Sequence, residues 1–328
     1  MEKVLVTGAT GFLGSHLVEF LIKSGYSVRA LVRKTSVSKL SNVANLELAL
    51  GDIREPDALS RALDGVDYVI HCAGLVKAYH PQQFYHVNAQ GTENLLEAVV
   101  KSTHQIKRFV HISSLAAMGP NVGQQASMPI EAARPVSNYG KSKLEAEKRI
   151  QRFINQLPIT IVRPPAIYGP SDRECLILFK LVSWRIWPSF LSQNKKLSVI
   201  YVEDAVNAIM HAMKNDKNSG NSYFIDDGHA YLIHDLIGVL KDALNVRRLF
   251  NVPIPTKALK FGLGIVDKYA ALLKKPTMLG KDKLQELVQE DWSCNSQLAN
   301  TQLRWAANTD WNTGAIKTLN WYKQQGWI

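Results

Sequence analysis

Residues 3–14 read KVLVTGATGFLG, a β-rich run that stops at the first of three glycines. Gly8 allows the chain to turn sharply out of a strand, Gly11 lets the backbone approach a pyrophosphate, and Gly14 lets the next helix pack closely on a sheet. The free N–H groups at the start of that helix attract phosphate. The stretch therefore predicts the first strand, turn and helix of a dinucleotide-binding α/β fold. The residues expected to contact the dinucleotide are Gly8, Thr10, Gly11, Phe12, Leu13 and Gly14.

Beyond this turn the chain alternates short apolar runs with longer segments of helical periodicity. Short β-rich runs bounded by turn residues indicate strands, and apolar residues that recur every three or four positions indicate helices. The predicted strands are 27–32, 46–50, 67–71, 107–112 and 159–162, and the predicted helices are 11–24, 56–63, 82–101 and 139–155. Because strand and helix alternate over about 160 residues, we expect a doubly wound, mostly parallel sheet with helices on both faces.

The alternation breaks after residue 163, at the proline- and glycine-rich loop RPPAIYGPSD. A segment rich in Leu, Phe and Trp follows at 174–190, then a strand at 197–201, a helix at 203–213 and a strand at 222–225. The remainder has mainly helical periodicity, at about 233–244, 256–273, 280–289, 295–303 and 312–324. We interpret 1–165, to which 197–225 returns, as the dinucleotide-binding domain. The segments 166–196 and 226–328 are interpreted as a smaller, mainly helical substrate-binding lobe.

Composition restricts the partners of this chain of 328 residues. Lys and Arg outnumber Asp and Glu by 39 to 28, a net charge of +11, which favours anionic ligands, nucleic acid or an acidic membrane surface. The basic residues are spread along the chain, which argues against a dedicated nucleic-acid function. Three cysteines far apart and a start that does not resemble a signal peptide suggest a reducing compartment, the cytoplasm. The apolar stretch ALKFGLGIVDKYAALL, from Ala258, is too short and too charged to span a bilayer.

The end of the second predicted strand bears on the choice of dinucleotide. NAD-specific sites commonly place an acid there to hold the ribose 2′-OH, whereas an arginine suits a 2′-phosphate. This strand ends in Arg33 and Lys34, so we expect NADP(H), with NAD as the alternative. Asp52 and Ile53 follow the third strand, where Asp52 is a candidate for the adenine amino group. Ala73-Gly74 follows the fourth strand and is a candidate for close backbone contact with the cofactor.

A second constellation follows the fifth strand. Tyr139 and Lys143, in YGKSK, are one helical turn apart and share a face. A tyrosine that exchanges a proton with a carbinol is helped by a neighbouring ammonium, which favours the phenolate and lowers the phenolic pKa. The fifth strand ends in Ser113-Ser114, and a serine hydroxyl there is placed to hydrogen-bond a substrate oxygen. We choose Ser114 as that serine.

Together these motifs resemble the extended short-chain dehydrogenase/reductases, the NAD-dependent epimerase/dehydratase family. The resemblance covers roughly the first two-thirds of the chain, through TGATGFLG (from Thr7), GDI (Gly51), HCAG (His71), VNAQGTENLLEA (Val87), HISSLAAMG (His111), YGKSK (Tyr139), RPPAIYGP (Arg163) and YVEDAVNAI (Tyr201). It implies a Rossmann domain, a smaller C-terminal substrate lobe and a homodimer through the helices at 82–101 and 139–155. It also implies residue roles: catalytic Ser114, Tyr139 and Lys143, a supporting Asn88, and Pro164 and Ala166 near the nicotinamide.

Within this family the chain is more similar to the dihydroflavonol-reductase and 3β-hydroxysteroid-dehydrogenase branch. Met118 stands where sugar-nucleotide epimerases often have tyrosine, which counts against that class. The first reading is an NADP(H)-dependent reductase or dehydrogenase of an apolar secondary alcohol or ketone. Its pocket would use aromatic side chains of 175–191 that equally suit a core, namely Phe179, Trp184, Trp187 and Phe190.

Two other readings remain open. A nucleotide-sugar epimerase would need cations for a pyrophosphate, and the small lobe offers Arg247, Arg248 and Arg304. A non-catalytic NADP-binding sensor or scaffold would need no proton-transfer residues, and the retained tyrosine and lysine argue against it. All three readings assume a small-molecule ligand.

Overall fold

The computed structural model describes residues 1–40, 43–123, 125–188, 194–215, 219–274 and 280–328. Phe190 lies outside them. The described strands are β1 (Lys3–Thr7), β2 (Ser27–Val32), β3 (Leu46–Leu50), β4 (Tyr68–His71), β5 (Arg108–Ile112), β6 (Ile159–Arg163), β7 (Ala166–Tyr168), β8 (Ile186–Pro188), β9 (Lys196–Leu197), β10 (Val199–Tyr201), β11 (Ser222–Phe224), β12 (Tyr231–Leu232), β13 (Phe250–Val252) and β14 (Asp291–Trp292).

The described α-helices are α1 (Phe12–Lys23), α2 (Pro56–Ala62), α3 (Pro81–Phe84), α4 (Gly91–Lys101), α5 (Leu115–Met118), α6 (Asn138–Ile150), α7 (Leu176–Ser183), α8 (Val202–Lys214), α9 (Ile233–Ala243), α10 (Thr256–Leu273), α11 (Lys281–Leu287), α12 (Gln297–Gln302) and α13 (Trp311–Gln324). A π-helical segment, Tyr85–Gln90, joins α3 to α4, and short 3₁₀ helices occupy Lys34–Lys39 and Ile130–Ala132.

Seven parallel strands form the main sheet, in the order β3-β2-β1-β4-β5-β6-β11. One face of the sheet packs on α1 and α8, and the other packs on α2 and α4, each through its own apolar cluster. The predicted doubly wound sheet with helices on both faces is therefore confirmed. The strand order reverses between β1 and β4, and a ligand of such a sheet binds at this point, at the carboxyl ends of the strands.

The structure corrects three predicted elements. The strand predicted at 197–201 does not join the main sheet: it is divided at Ser198 into β9, which pairs with β12 and β14, and β10, which pairs with β7. The hydroxyl of Ser198 donates to Asp226 at 3.1 Å. The chain returns to the main sheet through α8 and β11. The helix predicted at 82–101 contains the π-helical turn. The helix predicted at 139–155 ends at Ile150, beyond which the backbone hydrogen bonds tighten to i→i−3.

The second half of the chain has a core of its own, centred on the buried aromatic rings Tyr168, Phe179, Trp187, Trp311 and Tyr322. This core is formed by α7, α9 and α13 and the strands β7, β8 and β10. Among the residues that the structure describes, no helix is long and apolar enough to cross a membrane.

Candidate active site

The glycine turn has the geometry that a dinucleotide requires. Gly8 has a φ of +72°, and a side chain there would lie 2.6 Å from the backbone nitrogen of Ala73. A side chain at Gly14 would overlap the carbonyl oxygen of Gly8, so the helix packs tightly on the turn. α1 begins with no side-chain cap and no acid in its first turn, which leaves its N–H groups open to phosphate. The turn therefore fits a pyrophosphate.

A buried chain of hydrogen bonds connects this turn to Asn88. Thr7 Oγ1 accepts from the amide of Ala73 at 3.2 Å, and the Thr7 hydroxyl donates to His71 Nδ1 at 2.6 Å because Nε2 of the neutral ring carries the proton. His71 Nε2 then donates to Thr92 Oγ1 at 2.9 Å, and that hydroxyl donates to the carbonyl oxygen of Asn88 at 2.6 Å. Burial lowers the pKa of His71 to about 3, which keeps the ring neutral and the direction of the chain fixed. His71 belongs to the HCAG motif, but the sequence alone predicted no role for it.

Asn88 lies buried on the π-helical segment and holds the loop that follows β4. Its side-chain oxygen accepts from the amide of Leu75 at 2.7 Å, and its amide nitrogen donates to the carbonyl of Leu75 at 3.0 Å and to Ser142 Oγ at 2.9 Å. A side chain on Gly74 would lie 3.2 Å from both Asn88 Oδ1 and Lys143 Nζ. Gly74, Asn88 and Lys143 are thus brought together, and a side chain at position 74 would crowd the other two residues.

Lys143 is buried at the carboxyl edge of the sheet. Its ammonium donates to the carbonyl oxygen of Ile112, the last residue of β5, at 2.8 Å. Loss of hydration on burial lowers the pKa of Lys143 to about 8, against weaker opposing effects from Cys72 and Glu147. Near neutral pH the ammonium is therefore still protonated but close to titration.

The two serines after β5 have different surroundings. Ser113 is buried and its hydroxyl donates to Glu147, whose carboxylate also accepts from Arg163 Nη2 at 2.6 Å. Ser114 caps α5 by accepting from the amide of Ala116 at 3.1 Å, and it also hydrogen-bonds the phenol of Tyr139. Ser113 is therefore part of a buried ion network, and Ser114 is the serine that contacts the tyrosine.

The structure corrects the expected electrostatics of Tyr139. Burial raises the pKa of its phenol to about 12, and the hydrogen bond from Ser114 offsets only part of this effect. The charges that act most strongly on the phenol belong to Glu286, Lys283 and Glu174. The prediction that Lys143 lowers the phenolic pKa was wrong, because the ammonium donates to a backbone carbonyl and desolvation dominates.

Helix α11 covers the start of α6, the helix that carries Tyr139 and Lys143, and this contact was not predicted from the sequence. The carboxylate of Asp282 accepts from the amide of Asn138 at 2.6 Å and from that of Tyr139 at 3.2 Å. Ser137 Oγ donates to Glu286 at 2.5 Å, and Lys283 Nζ donates to the same carboxylate at 2.8 Å. Asp282 and Glu286 lie more than 140 residues from Ser137, Asn138 and Tyr139 in sequence, and no local pattern indicates these contacts.

At the other end of the cleft, the candidates for the adenosine half lie close together. Arg33 and Lys34 are exposed after β2, and Asp52 follows β3. Asp52 accepts two side-chain hydrogen bonds from Arg54, at 2.8 Å each, and these lower its pKa, with a smaller contribution from the charge of Arg33. Ile53 is buried against Gly91.

The structure places the remaining candidates as follows. The carbonyl of Pro164 accepts from the amide of Leu115, beside Ser114, at 2.8 Å, whereas Ala166 is exposed at the start of β7. Phe179 and Trp187 belong to the core of the second half, which favours a core role for these two rings over a role in a pocket. Trp184 is exposed and belongs to neither. Three arginines were candidates for binding the pyrophosphate of a sugar nucleotide. All three are exposed, namely Arg247, Arg248 and Arg304.

Known proteins match both the sequence and the fold. The model of the NAD dependent epimerase/dehydratase family matches residues 4–226. The ceramide reductase of Caulobacter vibrioides is 32 % identical, over 99 % of this chain and 96 % of that protein. The UDP-glucose 4-epimerase of Vibrio cholerae is 30 % identical, over 83 % of this chain and 87 % of that protein. The solved structure of UDP-glucose 4-epimerase from Thermotoga maritima superposes with a TM-score of 0.78 at 22 % identity, covering 98 % of this chain and 99 % of that chain, which supports the fold.

Proposed function

The chain belongs to the NAD-dependent epimerase/dehydratase family, and from this premise we propose that it is an NADPH-dependent reductase of an apolar or amphiphilic ketone. The family inferred from the motifs is confirmed, and with it an NAD-dependent enzyme. A small-molecule substrate is part of the proposal. The ketone, the direction of reaction and the preference for NADPH are the parts proposed. One relative that is alignable over nearly the whole chain is a reductase, which supports this choice.

The observation that carries the proposal is the similarity to the ceramide reductase, which extends over 99 % of this chain and 96 % of that protein. Reduction of a ketone needs a proton donor at the carbonyl oxygen. Desolvation raises the pKa of the half-buried phenol of Tyr139, so this phenol is protonated near neutral pH and can serve as the donor. The same phenol can serve either direction of hydride transfer, so the choice of reduction rests on the similarity.

The other residues position the substrate and the proton. When bound, the reduced nicotinamide supplies the hydride. The phenol of Tyr139 gives its proton to the carbonyl oxygen as the carbonyl carbon is reduced, and a secondary alcohol is formed. Ser114, which already hydrogen-bonds that phenol, holds the same oxygen. Lys143 places a positive charge at the strand edge, and Asn88 keeps the neighbouring loop in position.

Charge near the phenol favours an uncharged substrate over a sugar nucleotide. Two carboxylates, Glu286 and Glu174, and one ammonium, Lys283, act on the phenol. A pyrophosphate needs an excess of cations, and the arginines offered for that purpose are exposed in the second half of the chain. The epimerase reading keeps one specific support, the similarity to the epimerase of Vibrio cholerae. It is therefore the second candidate.

The preference for NADPH rests on the end of β2. Arg33 is exposed there, and its charge contributes to the lowered pKa of Asp52, which follows the neighbouring strand. Arg33 therefore lies on the side of the sheet expected to hold the adenosine. A guanidinium in this place supplies a planar donor pair for a 2′-phosphate, and β2 ends without an acid to hold a 2′-OH.

We also propose that the protein is a homodimer through α4 and α6. The outward sides of these two helices are joined by Arg149, which contacts Glu93 at 2.6 Å and Glu145 at 3.1 Å. The molar mass in solution, measured by light scattering after gel filtration, is expected to be twice that of the chain. A monomer at micromolar concentration would contradict the proposal.

A substrate panel tests the function. Purified protein is incubated with NADPH or NADH and either long-chain and steroid ketones or UDP-sugars, and nicotinamide absorbance and products are followed. We expect net oxidation of NADPH with at least one ketone. Interconversion of UDP-sugars without net change in the cofactor would instead establish the epimerase.

The variant Tyr139→Phe tests the assigned proton donor. We expect turnover to fall by at least about a hundredfold, the usual contribution of a general acid, with cofactor affinity unchanged. Tyr26→Phe is the matched control, because Tyr26 lies at the start of β2 and contacts Tyr68. Turnover retained in Tyr139→Phe would remove the catalytic assignment.

A further inference from the structure

Helix α10 carries an outward apolar face. Phe261 and Leu272 are 73 % and 77 % exposed, and Ile265 and Tyr269 are also exposed. These positions recur every three or four residues and therefore share one side of the helix. Among the α10 side chains that the structure describes, only Ala270, on the opposite side, is buried.

Further exposed apolar side chains precede α10 in the chain. Strand β13 ends three residues before the helix, and its Phe250 is exposed beside Ile186 of the paired strand β8. Eleven of the eighteen exposed large hydrophobic side chains among the described residues lie in 177–186 and 250–273. Soluble proteins rarely concentrate exposed apolar side chains in this way unless the surface contacts a partner or a membrane.

The charge of the same segment identifies the partner. Residues 244–274 contain six Lys or Arg against one Asp, a net charge of +5 within a chain whose total is +11. Arg247 and Arg248 are exposed just before β13, and Lys268 is exposed at the edge of the apolar face. An apolar face bordered by cations is the pattern of helices that lie in the headgroup region of anionic bilayers.

We propose that α10 docks on the surface of an anionic phospholipid bilayer, with its axis in the plane of the membrane and its apolar face among the acyl chains. The helix has 18 residues and is about 27 Å long, enough to lie along the interface while the rest of the chain stays in water. A second copy of the chain fits this face less well, since two identical basic borders would meet. The proposal goes beyond the proposed reaction and does not depend on which carbonyl is reduced.

Docking there places the active site beside the membrane. Asp267 of α10 accepts from the amide of Lys281, the first residue of α11, at 3.0 Å. The next residue, Asp282, holds the amides of Asn138 and Tyr139 at the start of the catalytic helix. Only one short helix, α11, thus lies between α10 and the segment that carries Tyr139.

Vesicle co-sedimentation of the full chain tests the proposal. The probes are vesicles of phosphatidylglycerol with phosphatidylethanolamine, and neutral phosphatidylcholine vesicles. We expect binding to the anionic vesicles that weakens with salt and is weaker on the neutral ones. Phe261→Ser with Leu272→Ser should lower the anionic partition coefficient at least about tenfold, because two apolar side chains no longer enter the acyl region.

The matched control is Phe20→Ser with Ile316→Ser, which removes two exposed apolar side chains from α1 and α13. It should bind as the unmodified protein does, and Lys268→Glu should weaken binding to anionic vesicles only. All these positions are exposed, and thermal melting confirms that the variants fold. Absent binding to anionic vesicles, or equal partition of the two double variants, would overturn the proposal. A smaller oligomer in the α10 variant, seen by light scattering, would also overturn it and assign the face to a second copy.

Discussion

Lys143 allows the electrostatics of the site to be tested without cofactor or substrate. The side chain is 4 % exposed, and burial lowers its pKa from 10.5 to about 8. Each unit of pKa corresponds to about 1.4 kcal/mol, so holding this lysine protonated costs the folded state about 3 kcal/mol. Replacement by methionine removes the charge and keeps much of the volume.

The direction of the pH dependence depends on whether the folded or the unfolded chain holds the proton on Lys143 at a given pH. Below about pH 8 the lysine is charged in both the folded and the unfolded chain, and the full cost is present. Between about pH 8 and 10.5 the unfolded chain keeps a proton that the folded chain has lost, so the free energy of unfolding rises with pH. We expect Lys143 alone to add about 2 kcal/mol between about pH 7 and pH 9.5, before tyrosines titrate.

The assay is urea unfolding followed by tryptophan fluorescence at these two pH values. Lys195 is also buried with a lowered pKa, and its contribution is common to every variant and cancels in the comparison. The rise in unfolding free energy with pH should be about 2 kcal/mol smaller in Lys143→Met than in the unmodified protein. Lys148→Met, exposed on the same helix, is the matched control. Equal rises in all three proteins would refute the assignment of a desolvated ammonium.

The remaining predictions concern folding and the cofactor. Glu147→Leu leaves the buried guanidinium of Arg163 without its carboxylate. It should lower the free energy of unfolding, measured in urea titrations, by about 3–5 kcal/mol. A loss under about 1 kcal/mol would show that the ion pair is not buried in solution. Gly14→Ala should abolish cofactor binding measured by calorimetry, because its methyl group would overlap the preceding turn, whereas Gly238→Ala, with open space around it, should bind normally. Arg33→Asp should raise the Michaelis constant for NADPH at least about tenfold and shift preference toward NADH. Lys39→Asp, the control with the same charge change on the adjoining 3₁₀ helix, should leave that preference intact, and an unchanged ratio in Arg33→Asp would show that Arg33 does not contact the 2′-phosphate.

Much of the site follows from local rules that a sequence expresses directly. The glycines at 8 and 14 are recognisable because only a residue without a side chain suits a positive φ or a helix packed on a turn. The spacing of Tyr139 and Lys143 is recognisable because a helix brings residues four apart onto one face. Periodicity likewise predicted nearly all helices of the second half, including α10, since amphipathic patterns are local.

What sequence reasoning missed depends on residues that meet only after folding. The pKa of Tyr139 is raised because the folded chain removes water from the phenol, and proximity in sequence to Lys143 says nothing about that loss of hydration. The carboxylate of Asp282 at the start of α6 belongs to a segment more than 140 residues away. Periodicity also cannot tell whether an apolar helix face is covered or exposed.

By itself, the sequence of this protein determined the fold class and the dinucleotide turn, and it singled out Ser114, Tyr139 and Lys143 as the candidate catalytic set, because these depend on short-range geometry and on side-chain chemistry. Only the tertiary structure decided three other properties. These are the strand with which residues 199–201 pair, the pKa of the Tyr139 phenol, and the face of α10 that remains in contact with solvent. Pairing, desolvation and exposure are properties of the whole packed chain, since each depends on distant segments that compete for the same surface.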